Sequence, residues 1–303
     1  MSRPKILVLD DFSDDFFRKV ARYGEVTRAT DLTEDIHLGD VAILVIRSKT
    51  KVNKKHVDRM RNLKCVISAT HGINHVCTDY LGEKGVEFHN VPVQSYDIAQ
   101  GVMAYIFAFS TNLIEANNSI KRWEWQKKRL RGFRVKGKTL GVVGYGRIGK
   151  EVARMASACG MNVIICDPYV KADVPRVTLD KLLKRSDIIT IHVPLTEETR
   201  GMIGRKEIRK MKKGAYLINT AKGEIINEDG LSDALKEGKL GGAALDVFQQ
   251  EPPFTDEVSK TLIMHEKVMA TPHSIGQTVE ALEEKGNGVI RIIMDFCSIW
   301  NTK

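Results

Sequence analysis

The chain has 303 residues, enough for two ordinary domains with separate cores, and its balance of 43% hydrophobic against 28% charged residues excludes a disordered protein. No apolar run approaches the roughly 18 residues of a membrane helix, and the N-terminus passes straight into a short apolar strand, so neither a membrane span nor a secretory leader is expected. Five cysteines, odd in number and without CxxC spacing, fit reduced thiols in a cytoplasmic protein, with no metal centre.

Over the first ninety residues, short apolar runs at 5–9, 41–46, 64–69 and 86–91 alternate with amphipathic stretches such as 12–23 and 54–63. This alternation predicts a parallel sheet covered on both faces by helices. The turn after the first strand, Asp10-Asp11-Phe12-Ser13-Asp14, is acidic and free of glycine, so this domain is a poor home for a dinucleotide. Residues 92–97 read as a linker, and from Ile98 a long apolar helix leads into a basic arm. The net charge of +9 is concentrated there: residues 121–138 carry nine basic side chains against the single acid Glu124, with Trp123, Trp125 and Phe133 interleaved. Such a mixture can bind nucleic acid, but the chain has no nucleic-acid motif, and a solvated or subunit-bridging segment is the preferred reading.

Next comes the most informative stretch, Thr139-Leu-Gly-Val-Val-Gly144-Tyr145-Gly146-Arg147-Ile148-Gly149, a strand that turns into a helix. Gly144 permits the tight turn, Gly146 lets the backbone approach a pyrophosphate, and Gly149 lets the helix pack close to the sheet. The free N–H groups at that helix start face the phosphates. Asp167, 18 residues beyond Gly149 at the end of the next strand, can accept hydrogen bonds from an adenosine ribose and would repel a 2′-phosphate, so NAD rather than NADP is expected.

Further strands are predicted near 187–194, 215–221, 241–247 and 267–271, with amphipathic helices between them and a last helix over 281–299 that returns to the first domain. The chain therefore crosses twice, giving a discontinuous domain of 1–92 with 276–303 and an inserted nucleotide domain of 93–275 that carries the arm, 118–138. Three polar constellations follow buried strands of the inserted domain: Asn219-Thr220-Ala221-Lys222-Gly-Glu224, Leu245-Asp246 with Glu251-Pro-Pro, and Ala270-Thr-Pro-His273. In open α/β sheets ligands bind outside the carboxyl ends of strands. A hydride-transfer enzyme acting on a hydroxyl needs a proton carrier, which His273 can be, with Glu251 holding the ring and Lys222 anchoring an acidic substrate.

With these motifs, together with Ile46-Arg47-Ser48-Lys-Thr-Lys-Val52 and His192-Val193-Pro194-Leu-Thr-Glu-Glu-Thr199, the chain resembles the D-isomer-specific 2-hydroxyacid dehydrogenases over essentially its whole length. Within that family it most resembles the 3-phosphoglycerate dehydrogenases, in a short form without a regulatory domain. The resemblance implies two doubly wound parallel-sheet α/β domains, a Rossmann NAD domain inserted into a flavodoxin-like substrate domain. It implies NAD as cofactor and a homodimer formed through the arm. The substrate would be a small 2-hydroxy or 2-keto acid, 3-phosphoglycerate first and glyoxylate or hydroxypyruvate next. His273 becomes the acid/base and Glu251 its partner. The cofactor is held by residues 144–149, Asp167, Pro168, His192, Val193, Pro194, Thr199, Thr220, Ala221, Asp246 and Gly276. Substrate contacts fall on Arg47, Ser48, Gly72, Ile73 and, from the arm, Lys127.

Several positions depart from the family pattern. Lys222 stands where an arginine binds the substrate carboxylate, and a point charge does not replace a planar fork. His71, Asn74 and His75 occupy a loop that is usually glycine-rich with an Asp-Asn pair, and Ala99-Gln100 replaces an Ala-Glu pair. A dinucleotide-sensing binding protein with little turnover is the alternative these departures support, whereas Glu251 and His273 favour an enzyme.

Overall fold

The protein is described here from a computed structural model covering residues 3–10, 12–32, 37–47, 49–70, 72–73 and 75–300. Its chain divides into two units, Met1–Gln94 with Gln277–Lys303, and Ser95–Gly276.

The first unit is a five-stranded, all-parallel sheet in the order β2-β1-β3-β4-β5, built from β1 (Lys5–Leu9), β2 (Glu25–Ala29), β3 (Val41–Ile46), β4 (Cys65–Ser68) and β5 (Glu87–Asn90). Side chains of a strand alternate between faces, so Ile6 and Val8 enter one core while Leu7 and Leu9 enter the other. The first core is closed by Phe16, Phe17 and Val20 of α1 (Asp14–Val20) and by Val289 and Ile293 of the returning α11 (Val279–Trp300). The second is closed by Val57 of α2 (Lys54–Arg59) and Leu81 of α3 (Thr78–Glu83). β2 carries no apolar run: its sequence EVTRA lies at the sheet edge and is at most half-buried, so it needs little apolar surface and gives no hydrophobic signal.

The second unit is a six-stranded parallel sheet in the order β11-β10-β9-β8-β6-β7, from β6 (Thr139–Val143), β7 (Asn162–Cys166), β8 (Ile188–Ile191), β9 (Ala215–Asn219), β10 (Leu240–Leu245) and β11 (Val268–Ala270). On one face, Leu140, Val142 and Ile218 pack with Val102 and Ile106 of α4 (Ser95–Thr111) and Val152 and Ala156 of α6 (Arg147–Ala158). On the other, Val143, Ile164 and Leu217 meet Leu182 of α7 (Leu179–Arg185), Ile208 of α8 (Arg205–Lys210) and Leu231 of α9 (Glu228–Lys236). α10 (Glu257–Met264) adds Leu262 to this second core, and α5 (Leu113–Lys121) follows α4 into the arm. α4 begins at Ser95, three residues before the apolar pattern, with Asp97 in its first turn, where a carboxylate complements the helix dipole.

Both units are thus doubly wound. In the second, the chain leaves β6 for β7 on one side and returns to β8 on the other, so the order reverses between β6 and β8, the place where open α/β sheets bind ligands beyond the carboxyl ends of their strands. Among the described residues, no helix is long and apolar enough to cross a membrane. All five cysteines are free thiols, and burial pushes that of Cys65 up to about 12.

Candidate active site

The glycine turn lies at the strand-order reversal. Gly144 has φ +90°, and a side-chain carbon there would lie 2.7 Å from the carbonyl carbon of His192 at the end of β8, so both conformation and contact require glycine. A side chain on Gly149 would strike the carbonyl oxygen of Gly144, which is how α6 lies so close to its strand. At Gly146 the same addition would meet no protein atom within 4 Å, leaving open space over the start of α6. No side chain caps this helix, so its first amides remain available to an anion.

Asp167 follows β7, and its carboxylate reaches back to the glycine turn: Oδ2 accepts from the Tyr145 amide at 2.8 Å and Oδ1 from the Tyr169 amide at 2.9 Å. Each oxygen keeps a lone pair for a sugar hydroxyl. His192 donates its amide to the Val143 carbonyl at 2.7 Å, and its Nε2 lies 2.8 Å from the Thr190 hydroxyl. Desolvation pushes the His192 ring well below its ordinary pKa, so it is neutral at physiological pH. Thr199 is engaged locally, donating to the Pro194 carbonyl at 2.6 Å and accepting the Thr196 amide at 2.8 Å, which fixes the loop after β8. The hydroxyl oxygen of Thr220, at the end of β9, is buried without a partner. An open glycine cradle, uncapped helix amides, an acid at the neighbouring strand end and an orphaned hydroxyl form a set that fits a bound dinucleotide.

The next two loops bring the charged groups together. Asn219 locks the turn after β9, donating to the Lys222 carbonyl at 2.9 Å and accepting the Ala221 amide at 3.1 Å. Gly223 is pressed so closely on the main chain of Phe248 that no larger residue fits, which sets the Lys222 loop against the loop carrying Glu251. Glu251 Oε2 lies 2.9 Å from His273 Nδ1. A carboxylate can only accept, so Nδ1 donates and Nε2 is left to exchange a proton with a substrate. Burial pushes the Glu251 carboxyl up, but the hydrogen bond and charge of His273, the Phe248 amide and the Lys222 cation together hold it below the usual range.

Asp246, only 3% exposed at the end of β10, receives three donors on Oδ1: the Thr271 hydroxyl at 2.5 Å, the Ser274 amide at 2.9 Å and the Ile275 amide at 3.2 Å. Burial raises its pKa, and these contacts oppose the rise. Gly276 is pressed against Ile98 of α4. In the first unit, Arg47 follows β3 and donates its amide to Asp10 Oδ2 at 2.8 Å, while Gly72 and the 39% exposed Ile73 follow β4. His75 lies 3.0 Å from the Ser68 hydroxyl. Ser48, His71 and Asn74 lie outside the described residues. Lys127 is exposed on a turn of the arm, beside Trp125 at 82% exposure.

Glu228 gave no sequence signal. At the first position of α9 it reads as a surface acid, yet it is buried; it accepts the Gln249 amide at 2.8 Å and the Ser259 hydroxyl at 2.6 Å, pinning the segment that leads to Glu251. The Tyr105 hydroxyl, 2.5 Å from Thr271 Oγ1, joins residues 166 apart in sequence. No local pattern predicts such a contact.

A histidine paired with a carboxylate thus lies on the same sheet edge as a turn that fits a dinucleotide. Residues 103–274 match the family model described as "D-isomer specific 2-hydroxyacid dehydrogenase, NAD binding domain". The chain is 40% identical over 293 residues to the D-3-phosphoglycerate dehydrogenase of Methanocaldococcus jannaschii, covering 93% of this chain but 55% of that protein. It is 41% identical over 251 residues to the hydroxypyruvate reductase of Thermotoga maritima, covering 82% of each. The D-lactate dehydrogenase of Aquifex aeolicus, solved with NAD and lactic acid, superposes with a TM-score of 0.89 at 28% identity, covering 97% of this chain and 95% of that one. The chain belongs to the D-isomer specific 2-hydroxyacid dehydrogenase family, and residues 103–274 are its NAD-binding domain. It spans about half the length of the phosphoglycerate dehydrogenases it matches.

The pairing of His273 with Glu251 has a pH signature. Because the Glu251 carboxyl is held below its ordinary value, its contribution to folding is fully present above that value and is lost as the pH falls through the depressed one. His273→Gln removes the charge and weakens the contact that lower this carboxyl, so it should cost stability at neutral pH, and that cost should fade as the pH falls through the depressed value. Chemical denaturation across the pH range checks this; a cost that does not change with pH would show that the contact carries no charge.

Proposed function

We propose that the protein is an NAD-dependent oxidoreductase interconverting a D-2-hydroxy acid and its 2-keto acid, with 3-phosphoglycerate the leading substrate and hydroxypyruvate or glyoxylate next. The observation that carries this reading is the 2.9 Å contact between His273 and Glu251 on the sheet edge that also bears the glycine turn. The names of its relatives in M. jannaschii and T. maritima support the two substrate choices.

Bound NAD supplies the acceptor for the C2 hydride. As the hydroxy acid is oxidised, Nε2 of His273 takes the hydroxyl proton, and Glu251 stabilises the imidazolium through Nδ1. In the reverse direction the same proton returns to the substrate oxygen. Lys222 neutralises the substrate carboxylate and polarises its carbonyl. Asp167 selects the unphosphorylated ribose, residues 144–149 hold the pyrophosphate, and Pro168, His192, Val193, Pro194, Thr199, Thr220, Ala221, Asp246 and Gly276 complete the cofactor contacts. Arg47, Ser48, Gly72 and Ile73 are assigned to the substrate's anionic groups, and Lys127 to its phosphate. We place the protein in the cytoplasm.

A panel of 2-keto acids with NADH and NADPH, read by absorbance, tests this reading. NADH should be preferred strongly, and His273→Ala should lose about 10²- to 10⁴-fold in turnover with NADH affinity nearly unchanged. Saturable NADH binding without turnover across the panel would point instead to a dinucleotide-sensing binding protein, the reading that Lys222 at the anchoring position favours.

Removal of the Lys222 cation should cost about 1.5–3 kcal/mol, so Lys222→Ala should lower kcat/KM roughly 10- to 150-fold. If the alanine variant kept full activity, Lys222 would have no place in the site. Lys222→Arg restores the planar fork; a rise in kcat/KM would mean that the pocket still accepts it, and a fall that its surroundings have adapted to the point charge.

The second copy of the chain is assigned to the arm, where Trp123 and Trp125 are 98% and 82% exposed. Sedimentation at micromolar concentration should give a dimer, and Trp125→Ala should move it toward monomer. A monomeric wild-type protein would remove this assignment.

A further inference from the structure

The loop that carries His273 is an unfavourable piece of backbone. His273 has φ +54°, in the left-handed region that side-chain-bearing residues rarely occupy, and its amide donates back to the Thr271 carbonyl at 3.0 Å. Such a turn persists only where its surroundings fix it. Here one carboxylate oxygen does so from both sides: Asp246 Oδ1 accepts from the Thr271 hydroxyl, two residues before His273, and from the Ser274 and Ile275 amides that follow.

The direction of these hydrogen bonds is determined. Thr271 has one hydroxyl proton, and an ionised carboxylate only accepts, so that proton points to Asp246. The Thr271 oxygen can then only accept from Tyr105, whose hydroxyl lies 2.5 Å away. Tyr105 itself is held rigidly on α4, 5% exposed and packed in the core beside Val102 and Ile106. A chain of donors therefore runs from a fixed helix through Thr271 into Asp246, which also accepts from the Ser274 and Ile275 amides that follow His273.

We propose that Tyr105 is a positioning residue for His273, acting through the Thr271 hydroxyl and the Asp246 carboxylate. The inference rests on the reading of His273 as the proton carrier. The distance from His273 to Glu251 is thereby maintained from α4, far from both in sequence. The charged groups facing His273 are Glu251 and Asp246, with Lys222 acting on Glu251.

Tyr105→Phe removes one hydroxyl and keeps the ring in the core. The Thr271 oxygen loses its donor, the clamp on the turn loosens, and the imidazole spends less time on Glu251. We expect kcat for 2-keto acid reduction to fall about 3- to 10-fold, the size of one hydrogen bond, with NADH affinity by fluorescence within twofold of wild type. The Nδ1 proton of His273, read by NMR without cofactor, should exchange with solvent faster than in wild type, because its hydrogen bond to Glu251 is made less of the time. Thr271→Val should reproduce both changes and Thr271→Ser should restore wild-type behaviour. A Tyr105→Phe protein with lowered Tm but wild-type kcat and Nδ1 proton exchange would overturn the proposal by reducing Tyr105 to packing. Should that variant fail to fold, equal behaviour of the valine and serine proteins would overturn it, and a difference confined to valine would sustain it. If wild type reduces no 2-keto acid, the functional reading fails, while the exchange rates still decide whether Tyr105 positions His273.

Discussion

All six parallel strands of the second unit, β6 to β11, finish at one edge, and the polar groups assigned to chemistry at their carboxyl ends depend on this. At the carboxyl ends the ladder register makes the last residues of neighbouring strands neighbours: Leu245 of β10 pairs with Asn219 of β9 on one side and Ala270 of β11 on the other. The loops that follow carry Lys222, Glu251 and His273. None of these residues needs a special local sequence to find the others. The hydrophobic register of the two cores brings them together.

Around this edge, buried carboxylates act as fixed points. Asp246 and Glu228 are each largely removed from water, which is costly for an ion unless donors replace the lost hydration. Both are satisfied, Asp246 by a hydroxyl and two amides and Glu228 by a hydroxyl and an amide. The consequence is geometric rather than energetic. A half-satisfied carboxylate would drift, whereas one that organises several donors holds two loops in place. The exposed members of the site, Glu251 and His273, have few packing contacts of their own and borrow their positions from these anchors.

The glycine turn, the acid at Asp167, the strands alternating with helices and the polar loop ends were all legible in the sequence because each demand is local: a positive φ, a close approach, a short continuous apolar run. The edge strand β2 was not, since an edge in contact with water needs no apolar run. Glu228 was hidden for the opposite reason, because an acid in the first turn of a helix looks like an ordinary surface residue. The link between Tyr105 and Thr271 was invisible in principle, because it exists only once α4 has packed on the sheet. Lys222 was legible as a departure from a motif, but its effect on Glu251 required the close approach of Gly223 to Phe248.

The arm shows how an excess of positive charge and an excess of exposed apolar surface constrain each other. Full burial of one tryptophan is worth roughly 4–6 kcal/mol at 25 cal/mol per Å², so leaving Trp123 and Trp125 in water is expensive for a monomer. Leu113, Ile114 and Ile120 of α5 add further exposed apolar side chains nearby in sequence. The arm's single acid, Glu124, is already committed, because Arg122 pairs with it as well as with Glu115 of α5. Its remaining cations would oppose casual association between copies, since like charges brought together in a drying interface are penalised. Burial of the tryptophans is therefore favourable only against a surface that leaves those cations hydrated or gives them carboxylates. Any surface that covers the arm must meet both demands at once, which is a selective requirement.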